Sequence, residues 1–303
     1  MLEHLNRKIA ITGVPMNLGA DRLGVDLGPT AIRYAGVRKR LENIGYKIED
    51  KGDIPVVRPG SASSEGTSLK YLDEIARVST ALCDTVSGIV AGGAMPLVLG
   101  GDHSIAIGTL AGLMQHKKKL GVIWFDAHGD INTEDTSPTG NIHGMPVAVA
   151  MGMGHEKLTS IGGTENKLDP SRFVLVGSRD LDAGERRILK ELGISVFSMH
   201  EIDRWGMPKV MEEAIRIASE GADGVHISFD MDAMDPFHAV GTGTRVLGGM
   251  SYRESHLALE MIAEAGIATS VEFVEVNPLL DNKNETAETA VALMGSLLGE
   301  WLK

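Results

Sequence analysis

Short, continuously apolar runs alternate along this chain with longer stretches in which apolar residues recur every three or four positions. Such runs are typical of strands buried on both faces of a parallel sheet, and the longer stretches are typical of amphipathic helices. One helix is predicted by the spacing of Leu72, Ile75, Leu82, Val86 and Ile89. Strands are predicted at Lys8–Val14, Lys47–Asp50, Pro96–Gly100, Gly121–Asp126, Phe173–Gly177, Ser195–Ser198, Val225–Asp230 and Thr269–Val276.

This alternation predicts an α/β fold, a single three-layer domain over residues 1–303 with a mostly parallel sheet of about eight strands flanked by helices. The low-complexity stretch Pro59–Thr67 is predicted to be a surface loop. Gly193 and Gly266 stand where helices should end, because glycine readily adopts the left-handed conformation that closes a helix. A last helix is predicted at Glu285–Leu302, and the pattern leaves open whether it packs on the sheet or reaches a neighbouring subunit.

Composition and charge indicate the cellular compartment of the chain and the classes of partner that it can bind. Its hydrophobic content is 43%, but no apolar run approaches the ~20 residues that cross a bilayer. The opening apolar run is too short for a signal peptide, and the single cysteine, Cys83, lies in an apolar helical pattern, so a reducing cytoplasm is expected. A net charge of −12 without a basic face excludes double-stranded nucleic acid as a partner and admits a cationic small molecule.

The first of three segments with candidate chemistry follows the strand at Pro96–Gly100. Its glycines let the backbone turn sharply, and His103 is presented just beyond the turn. By itself, a histidine in this position is more often structural than a ligand. The glycine pair does not indicate a phosphate-binding loop, because neither G-x-G-x-x-G nor G-x-x-x-x-G-K-[ST] is present.

The second and third segments each end a strand in potential ligands at alternate positions. Asp126, His128 and Asp130 follow one strand, and Asp230 and Asp232 follow another. Side chains two residues apart share a face of an extended chain, so each set can converge. Unpaired buried carboxylates would cost several kcal/mol each, which argues against a purely structural role.

Together these segments supply two histidines and four aspartates at one edge of the predicted sheet. Carboxylate and imidazole donors without thiolate suit Mn, Fe(II), Co or Zn. Six side chains are too many for one catalytic ion that keeps an open position, and two ions would balance the carboxylate charges. The chain is therefore predicted to be a hydrolase with two divalent metals. Glu275, after a further strand, is a candidate for holding a cationic substrate.

These motifs resemble those of the ureohydrolase (arginase/agmatinase) family, and the chain is most similar to its bacterial arginases. The family patterns GGDHS, DAHxD and SxDxDxxDP are matched at residues 100–104, 126–130 and 228–236, and the likeness covers essentially the whole chain. The resemblance implies an arginase-like fold and self-association to a trimer or hexamer. It also implies two Mn²⁺ per subunit, one bound by His103, Asp126, Asp130 and Asp230 and the other by His128, Asp126, Asp230 and Asp232.

The resemblance implies that a hydroxide bridging the two Mn²⁺ ions hydrolyses L-arginine to L-ornithine and urea. Glu275 would hold the guanidinium group against that hydroxide. Asp130 would assist proton movement beside the metal, and His143 would act as a mobile proton shuttle. These three residues form the predicted catalytic set.

The predicted substrate contacts favour arginine over related guanidino compounds. By resemblance, Asn132 and Thr139 contact the substrate α-carboxylate, and Asp182 faces the α-amino group. Glu185 and Thr244 complete this set together with the guanidinium-binding glutamate. Agmatine lacks an α-carboxylate and would not use the first two contacts. Agmatinases and other guanidino or formimino hydrolases share the metal motifs and are the alternative.

The sequence gives less support to two other functions. A binuclear metallophosphoesterase would carry its G-D pattern far downstream of D-x-H, whereas here Asp130 lies beside it. A non-catalytic binding protein would be expected to have lost metal ligands, and all six are present. One departure from the family is that Val240 and Arg245 stand where prolines are usual. We hypothesise that Arg245 brings a cation near the site and weakens binding of a cationic substrate.

Overall fold

The computed structural model describes residues 7–57 and 68–300. Within these residues, eight strands form one sheet. Their bounds are β1 Lys8–Val14, β2 Lys47–Asp53, β3 Met95–Gly100, β4 Leu120–Phe125, β5 Phe173–Val176, β6 Ser195–Phe197, β7 Gly224–Asp230 and β8 Ala268–Val274. The spatial order is β2-β1-β3-β8-β7-β4-β5-β6, and every neighbouring pair is parallel. The predicted loop at Pro59–Thr67 lies outside the described residues.

All eight predicted strands are confirmed, with small differences at their ends. β2 continues to Asp53 rather than stopping at Asp50, because it is an edge strand whose exposed, charged positions carry little apolar signal. β8 ends at Val274 rather than Val276. Its extended conformation stops there because the next residue, Glu275, adopts a φ of 63°.

Helices cover both faces of the sheet, as a three-layer α/β fold requires. Their bounds are α1 Gly28–Tyr34, α2 Val37–Asn43, α3 Leu72–Ala91, α4 Ala106–Met114, α5 Pro146–Ala150, α6 Glu156–Thr159, α7 Ala183–Leu192, α8 Met199–Trp205, α9 Met207–Ser219, α10 Tyr252–Ala265 and α11 Glu285–Leu297. Gly193 and Gly266 end α7 and α10 in the left-handed conformation, both with a φ of 65°, as predicted.

Two separate apolar cores lie on the two faces of the sheet. One core joins the sheet to α1, α2 and α8–α11, and it includes Ile123, Phe229 and Phe273. The other joins the opposite face to α3–α7, and it includes Trp124 and Phe173. Because neighbouring residues of a strand point to opposite faces, each central strand contributes to both cores.

The last helix, α11, ends at Leu297, five residues before the end predicted from the sequence, and Leu302 lies outside the described residues. It packs on α10 and α1 within this chain. Its apolar side is buried there, within this chain. Among the described residues, every helix is too short or too polar to span a bilayer.

The topology brings four carboxyl ends together at the centre of the sheet. β3, β8, β7 and β4 are consecutive neighbours, although they come from distant parts of the chain. In open parallel sheets, ligands bind beyond the carboxyl ends of the strands. The segments with candidate chemistry all lie at this edge.

Candidate metal centre and active site

The structure brings all six predicted metal ligands to the carboxyl edge of the central strands. His103 follows β3, Asp126 follows β4, and Asp230 is the last residue of β7. His128, Asp130 and Asp232 lie within the next few residues of the same segments. Two groups of potential metal donors are formed, and their members are His103, Asp126 and Asp230 in one and Asp126, His128 and Asp232 in the other.

The first donor group surrounds the Nδ1 atom of His103. This nitrogen lies 3.2 Å from Oδ2 of Asp126, 3.0 Å from Oδ2 of Asp130 and 3.1 Å from Oδ2 of Asp230. An imidazole nitrogen carries at most one proton and cannot donate to three carboxylates at once. Neighbouring ligands of an octahedral ion held at about 2.1 Å lie about 3 Å apart, so these distances suit donors around one cation.

The second donor group surrounds the Nδ1 atom of His128. This nitrogen lies 3.3 Å from Oδ1 of Asp126 and 3.2 Å from Oδ2 of Asp232. Asp126 therefore presents one oxygen to each histidine, which is the arrangement of a carboxylate shared between two ions. The ring of His128 is partly exposed, whereas Asp126 is fully buried.

Burial and repulsion between carboxylates oppose full ionisation of the cluster. Burial, together with the negative charge of Asp126, raises the pKa of Asp130 to about 7. Burial and the charges of Asp232 and Asp126 also raise the pKa of Asp230 well above its usual value. Positive charge among these groups would allow all of them to ionise. The donor set therefore fits divalent cations, and its lack of thiolate fits a hard or borderline ion.

Backbone conformation and hydrogen bonds hold the acids in place. Asp130 and Glu275 have φ values of 50° and 63°, a backbone region that residues other than glycine rarely occupy. Oδ1 of Asp230 accepts a hydrogen bond from the backbone N–H of Asp232 at 2.7 Å. Oδ1 of Asp126 accepts one from the backbone N–H of His128, also at 2.7 Å. Strain of this kind persists where the surrounding structure fixes it, and it is common at functional sites.

Glu275 and His143 meet beside the donor groups. Oε1 of Glu275 accepts a hydrogen bond from the backbone N–H of His103 at 2.9 Å, and it lies 3.2 Å from Nδ1 of His143. Burial alone would lower the pKa of His143, but the Glu275 carboxylate, together with the charges of Asp130 and Asp102, outweighs it and raises this pKa to about 9. The backbone N–H of His143 donates to the carbonyl of Gly19, so the loop after β1 helps to position this residue.

A cavity of about 300 Å³ opens above the donor groups. The five predicted substrate contacts other than Glu275 all line this cavity, and they are Asn132, Thr139, Asp182, Glu185 and Thr244. Asp182 caps the N-terminus of α7, and its second oxygen accepts a hydrogen bond from Nδ2 of Asn132 at 2.7 Å. Thr139 is exposed at the rim and accepts from the backbone N–H of Asn141.

Glu185 and Thr244 already have partners within the protein. The two carboxylate oxygens of Glu185 accept hydrogen bonds from the backbone N–H groups of Gly129 and Asp182, each at 3.1 Å. Glu185 thereby supports the turn that carries His128. Thr244 donates its hydroxyl to Oδ2 of Asp232 at 2.8 Å, which places it between the metal donors and the cavity.

Arg245 does not line the cavity formed by the described residues. Its Nη2 atom donates to the carbonyl oxygen of Leu280 at 3.0 Å, so the guanidinium is held on the turn after β8. The loop that lacks the usual prolines is thus tethered by a side chain. The hypothesis that this cation weakens substrate binding stays a prediction.

Sequence reasoning missed several residues that support the site. Nε1 of Trp124 donates to Oδ2 of Asp126 at 2.9 Å, and its ring stacks on His103 with centroids 4.1 Å apart. Asp180, beside Asp182, also lines the cavity. The guanidinium of Arg179 donates to several backbone carbonyls of the segment that follows β7. For Arg179 and Asp180, the available signal was a pair of charged residues shortly after the buried strand β5.

Two further missed residues, Ser228 and Glu272, lie inside the buried strands β7 and β8. A polar side chain within a continuously apolar run was the sign that pointed to them. Their pairing was not visible, because it depends on the register between strands that are far apart in the sequence.

Proteins that are similar to this chain in both sequence and fold include several arginases. A model of the Arginase family matches residues 7–299. The arginase of Brevibacillus brevis is 57% identical over 298 residues, which cover 98% of this chain and 100% of that protein. The chain belongs to the arginase family.

Solved structures of this family have the same fold. The arginase of Bacillus caldovelox matches with a TM-score of 0.95 at 56% identity, over 98% of this chain and 100% of that one. The arginase of Entamoeba histolytica, solved in complex with L-ornithine, matches with a TM-score of 0.90 at 33% identity, over 97% and 99% of the two chains. The predicted arginase-like α/β fold and the resemblance to bacterial arginases are both confirmed.

Proposed function

We propose that this chain hydrolyses L-arginine to L-ornithine and urea with two Mn²⁺ ions. The observation that carries the proposal is the pair of donor groups that share Asp126 at the base of a cavity lined by acidic and amide side chains. Membership in the arginase family supports the reaction. The ornithine bound by the Entamoeba histolytica relative is the amino-acid product that this reaction leaves.

The residues that would hold the ions are the two donor groups together with Asp130, whose Oδ2 lies 3.0 Å from Nδ1 of His103. Mixed carboxylate and imidazole donors are compatible with Mn²⁺. When bound, two divalent cations balance the buried carboxylates and lower the pKa of water, so that hydroxide is available near neutral pH.

Glu275 would bind the guanidinium group of the substrate. Its carboxylate is buried, and the hydrogen bond from the backbone of His103 fixes its direction. A carboxylate in this setting pairs with a planar guanidinium by charge-assisted hydrogen bonds. This pairing would orient the guanidinium carbon towards the donor groups, and that orientation would contribute to the acceleration of the reaction.

The other end of arginine would be recognised at the rim of the cavity. Asn132 and Thr139 can hydrogen-bond to the α-carboxylate, and the acidic pair Asp180 and Asp182 can attract the α-ammonium group. A substrate without an α-carboxylate would leave the first two side chains without a partner, which supports arginine over agmatine.

His143 would carry the proton that the reaction must deliver. The oxygen of water adds to the guanidinium carbon, and the bond between this carbon and Nε of arginine then breaks. The amine that leaves with ornithine requires a proton. His143 lies at the cavity and contacts Glu275, so it is placed near the reacting group. A histidine that holds a proton at neutral pH can donate it as a general acid.

We also propose that residues 1–303 form one domain, that the subunit associates with itself as a trimer or hexamer, and that the protein acts in the cytoplasm. The family match over residues 7–299 and the single sheet support one domain. The single, buried Cys83 is compatible with a reducing compartment. Light scattering on the purified protein tests the assembly, and a monomer would contradict it.

Urea release tests the proposed reaction directly. The protein loaded with Mn²⁺ is incubated separately with L-arginine, agmatine and a phosphate ester, and urea and phosphate are measured. We expect urea from arginine at a kcat/KM far above that for agmatine, and no phosphate release. The matched control is Asp126→Asn, which removes the shared carboxylate and should abolish urea release. Preference for agmatine or cleavage of the ester would contradict the proposal.

A further inference from the structure

Buried polar side chains form a line behind His103, within the core that joins the sheet to α3–α7. Nε2 of His103 lies 2.8 Å from the hydroxyl oxygen of Ser228. That hydroxyl donates to Oε1 of Glu272 at 2.8 Å. Nε2 of His226 lies 3.3 Å from the same carboxylate oxygen. All four side chains are at most 1% exposed.

The line follows from the register of the sheet. Ser228 on β7 is the direct partner of Glu272 on β8, and His226 is the partner of Ser270. The intervening residues of both strands point into the other core and are apolar. A fold that needed only packing would place apolar side chains at these positions as well.

Burial of Glu272 lowers the stability of the folded state. Its Oε2 atom has no hydrogen-bond partner among the described residues, and a buried carboxylate oxygen in that state destabilises the fold because it has lost its contact with water. Burial would raise the pKa of Glu272, but the neighbouring His226, His103 and Ser228 together outweigh it and keep this pKa below its usual value. A fully buried carboxylate with one oxygen that lacks a hydrogen-bond partner indicates a role other than stability.

The hydrogen-bond directions along the line have one consistent assignment. An ionised carboxylate only accepts, so the Ser228 hydroxyl donates its hydrogen bond to Oε1 of Glu272. The oxygen of Ser228 then accepts from Nε2–H of His103, which leaves the lone pair of this imidazole on Nδ1. That is the atom facing Asp126, Asp130 and Asp230, and a metal-binding histidine needs its lone pair there.

Trp124 supplies a separate constraint on the same ring. Its indole stacks on His103 with an interplanar angle of 8°, which fixes the plane of the imidazole but not which nitrogen faces the acids. The bond to Ser228 determines that orientation.

We propose that Glu272, acting through Ser228, is a positioning residue that holds His103 with Nδ1 directed at the metal site. The inference rests on the proposed function in one respect, which is that His103 binds one of the two ions. Loss of the line should therefore weaken that ion selectively, because His128 on the other side has no contact with it.

The direct test is Ser228→Ala, with Mn²⁺ affinity measured by chelator competition. Substitution of residues that orient a metal ligand typically weakens metal binding about 10- to 100-fold. We expect a loss of this size for one Mn²⁺ and an unchanged affinity for the other. Electron paramagnetic resonance should accordingly change from a coupled pair to an isolated Mn²⁺ at limiting metal.

Ser296→Ala is the matched control, because Ser296 is also buried and its hydroxyl lies 2.7 Å from Nδ1 of His256, away from the site. Both variants lose a serine–histidine hydrogen bond in the interior, so a purely structural effect would lower both melting temperatures. Only Ser228→Ala should alter Mn²⁺ binding. Equal loss of Mn²⁺ in the two variants would overturn the proposal.

Two substitutions of Glu272 provide a test in addition to Ser228→Ala. Glu272→Gln keeps an accepting oxygen and should bind Mn²⁺ more tightly than Glu272→Met, which removes it. Combining Glu272→Met with Ser228→Ala should weaken binding no further than Ser228→Ala alone, because the two residues act in one line. Additive losses, or equal affinities for the Gln and Met variants, would contradict the assignment.

Measurements on the wild-type protein distinguish failure of the positioning role from failure of the proposed function. Two bound Mn²⁺ with an unaltered affinity in Ser228→Ala would overturn the positioning role alone. Fewer than two bound Mn²⁺ in the wild type would instead overturn the proposed function on which it rests.

Discussion

At the scale of single residues, Glu275 joins several parts of the site. It adopts a left-handed φ of 63° directly after β8, and its carboxylate contacts both the backbone of His103 and the ring of His143. An extended conformation at this position would direct the side chain elsewhere. The strain is local, and it is offset by the hydrogen bond from the backbone N–H of Glu275 to the carbonyl of Gly101.

Glu275→Gln should reduce kcat/KM for arginine about 10- to 100-fold, because a hydrogen bond to a charged group contributes about 1.5–3 kcal/mol. The shape of the side chain is kept, so the Mn²⁺ content should stay at the wild-type value. Urea release and metal analysis on the same preparation measure both quantities. Loss of metal together with activity would show that Glu275 supports the metal centre instead of the substrate.

Cys83 is a single-residue case in which burial determines reactivity. Burial, followed by the charge of Asp84, raises the pKa of the Cys83 thiol to about 11. At pH 8 roughly one molecule in a thousand then carries the thiolate, compared with a substantial fraction in an unfolded chain. The neutral thiol is favoured in the folded state, so its contribution to stability is present below the unfolded pKa and is lost as the pH rises towards 11.

Native protein at pH 8 should therefore resist iodoacetamide at Cys83, and protein in denaturant should react readily. Mass spectrometry of the intact chain gives both rates. Cys83→Ala should also flatten the decrease of the free energy of unfolding between about pH 8.5 and 11. Fast alkylation of the native protein would show that the thiol is accessible.

At the scale of elements, the predictability of this fold depended on burial. The central strands were found because both of their faces are covered, whereas the end of β2 was missed because its residues are exposed. Gly193 and Gly266 marked helix ends because the left-handed conformation favours glycine. Five of the six candidate metal ligands were predicted because potential ligands at alternate positions after a buried strand are unusual, and His103 because it follows the glycine turn after another strand. Their number indicated two ions, and the family resemblance divided them between those ions.

Other features of the site could not be read from the sequence, because they depend on tertiary contacts. The stacking of Trp124 on His103 joins β4 to the segment after β3, and Ser228 meets Glu272 only through the register of β7 and β8. Glu185 was predicted to contact substrate, and the structure shows it accepting backbone hydrogen bonds from Gly129 and Asp182. No local pattern distinguishes these two roles.

The N-terminal caps of α7 and α10 allow stability and substrate binding to be separated. Asp182 and Ser251 each cap a helix through a capping box, but only Asp182 also lines the cavity. Asp182→Ser keeps a good capping residue, so it should raise KM for arginine with little change in melting temperature. Ser251→Ala should lower the free energy of unfolding by about 1 kcal/mol and leave KM unchanged.

Thermal denaturation and steady-state kinetics on the two variants provide the comparison. An unchanged KM in Asp182→Ser would show that this carboxylate serves α7 alone. A changed KM in Ser251→Ala would show that cap strength itself affects the cavity.

At the scale of the whole molecule, the metal centre depends on the complete sheet. Its candidate donors come from the segments after β3, β7 and β4. β7 and β4 are adjacent in the sheet, and β8 joins β3 to β7. The unfolded chain separates these segments, so the proposed ions would bind the folded state preferentially. Without cations, burial and mutual repulsion raise the pKa of Asp130 and Asp230, which opposes full ionisation of the cluster.

Removal of metal should therefore lower the melting temperature. An ion at a concentration of 100 times its Kd stabilises the folded state by about 2.7 kcal/mol, which in a chain of this size corresponds to a shift of roughly 4 °C for one ion and about 8 °C for two. Calorimetry with added Mn²⁺ and with excess chelator measures the difference. Asp126→Asn is the control, because it removes the carboxylate shared by both donor groups and should make the melting temperature almost independent of Mn²⁺. Equal melting temperatures for the wild type in the two conditions would mean that the cluster does not bind the ions, since preferential binding to the folded state must stabilise it.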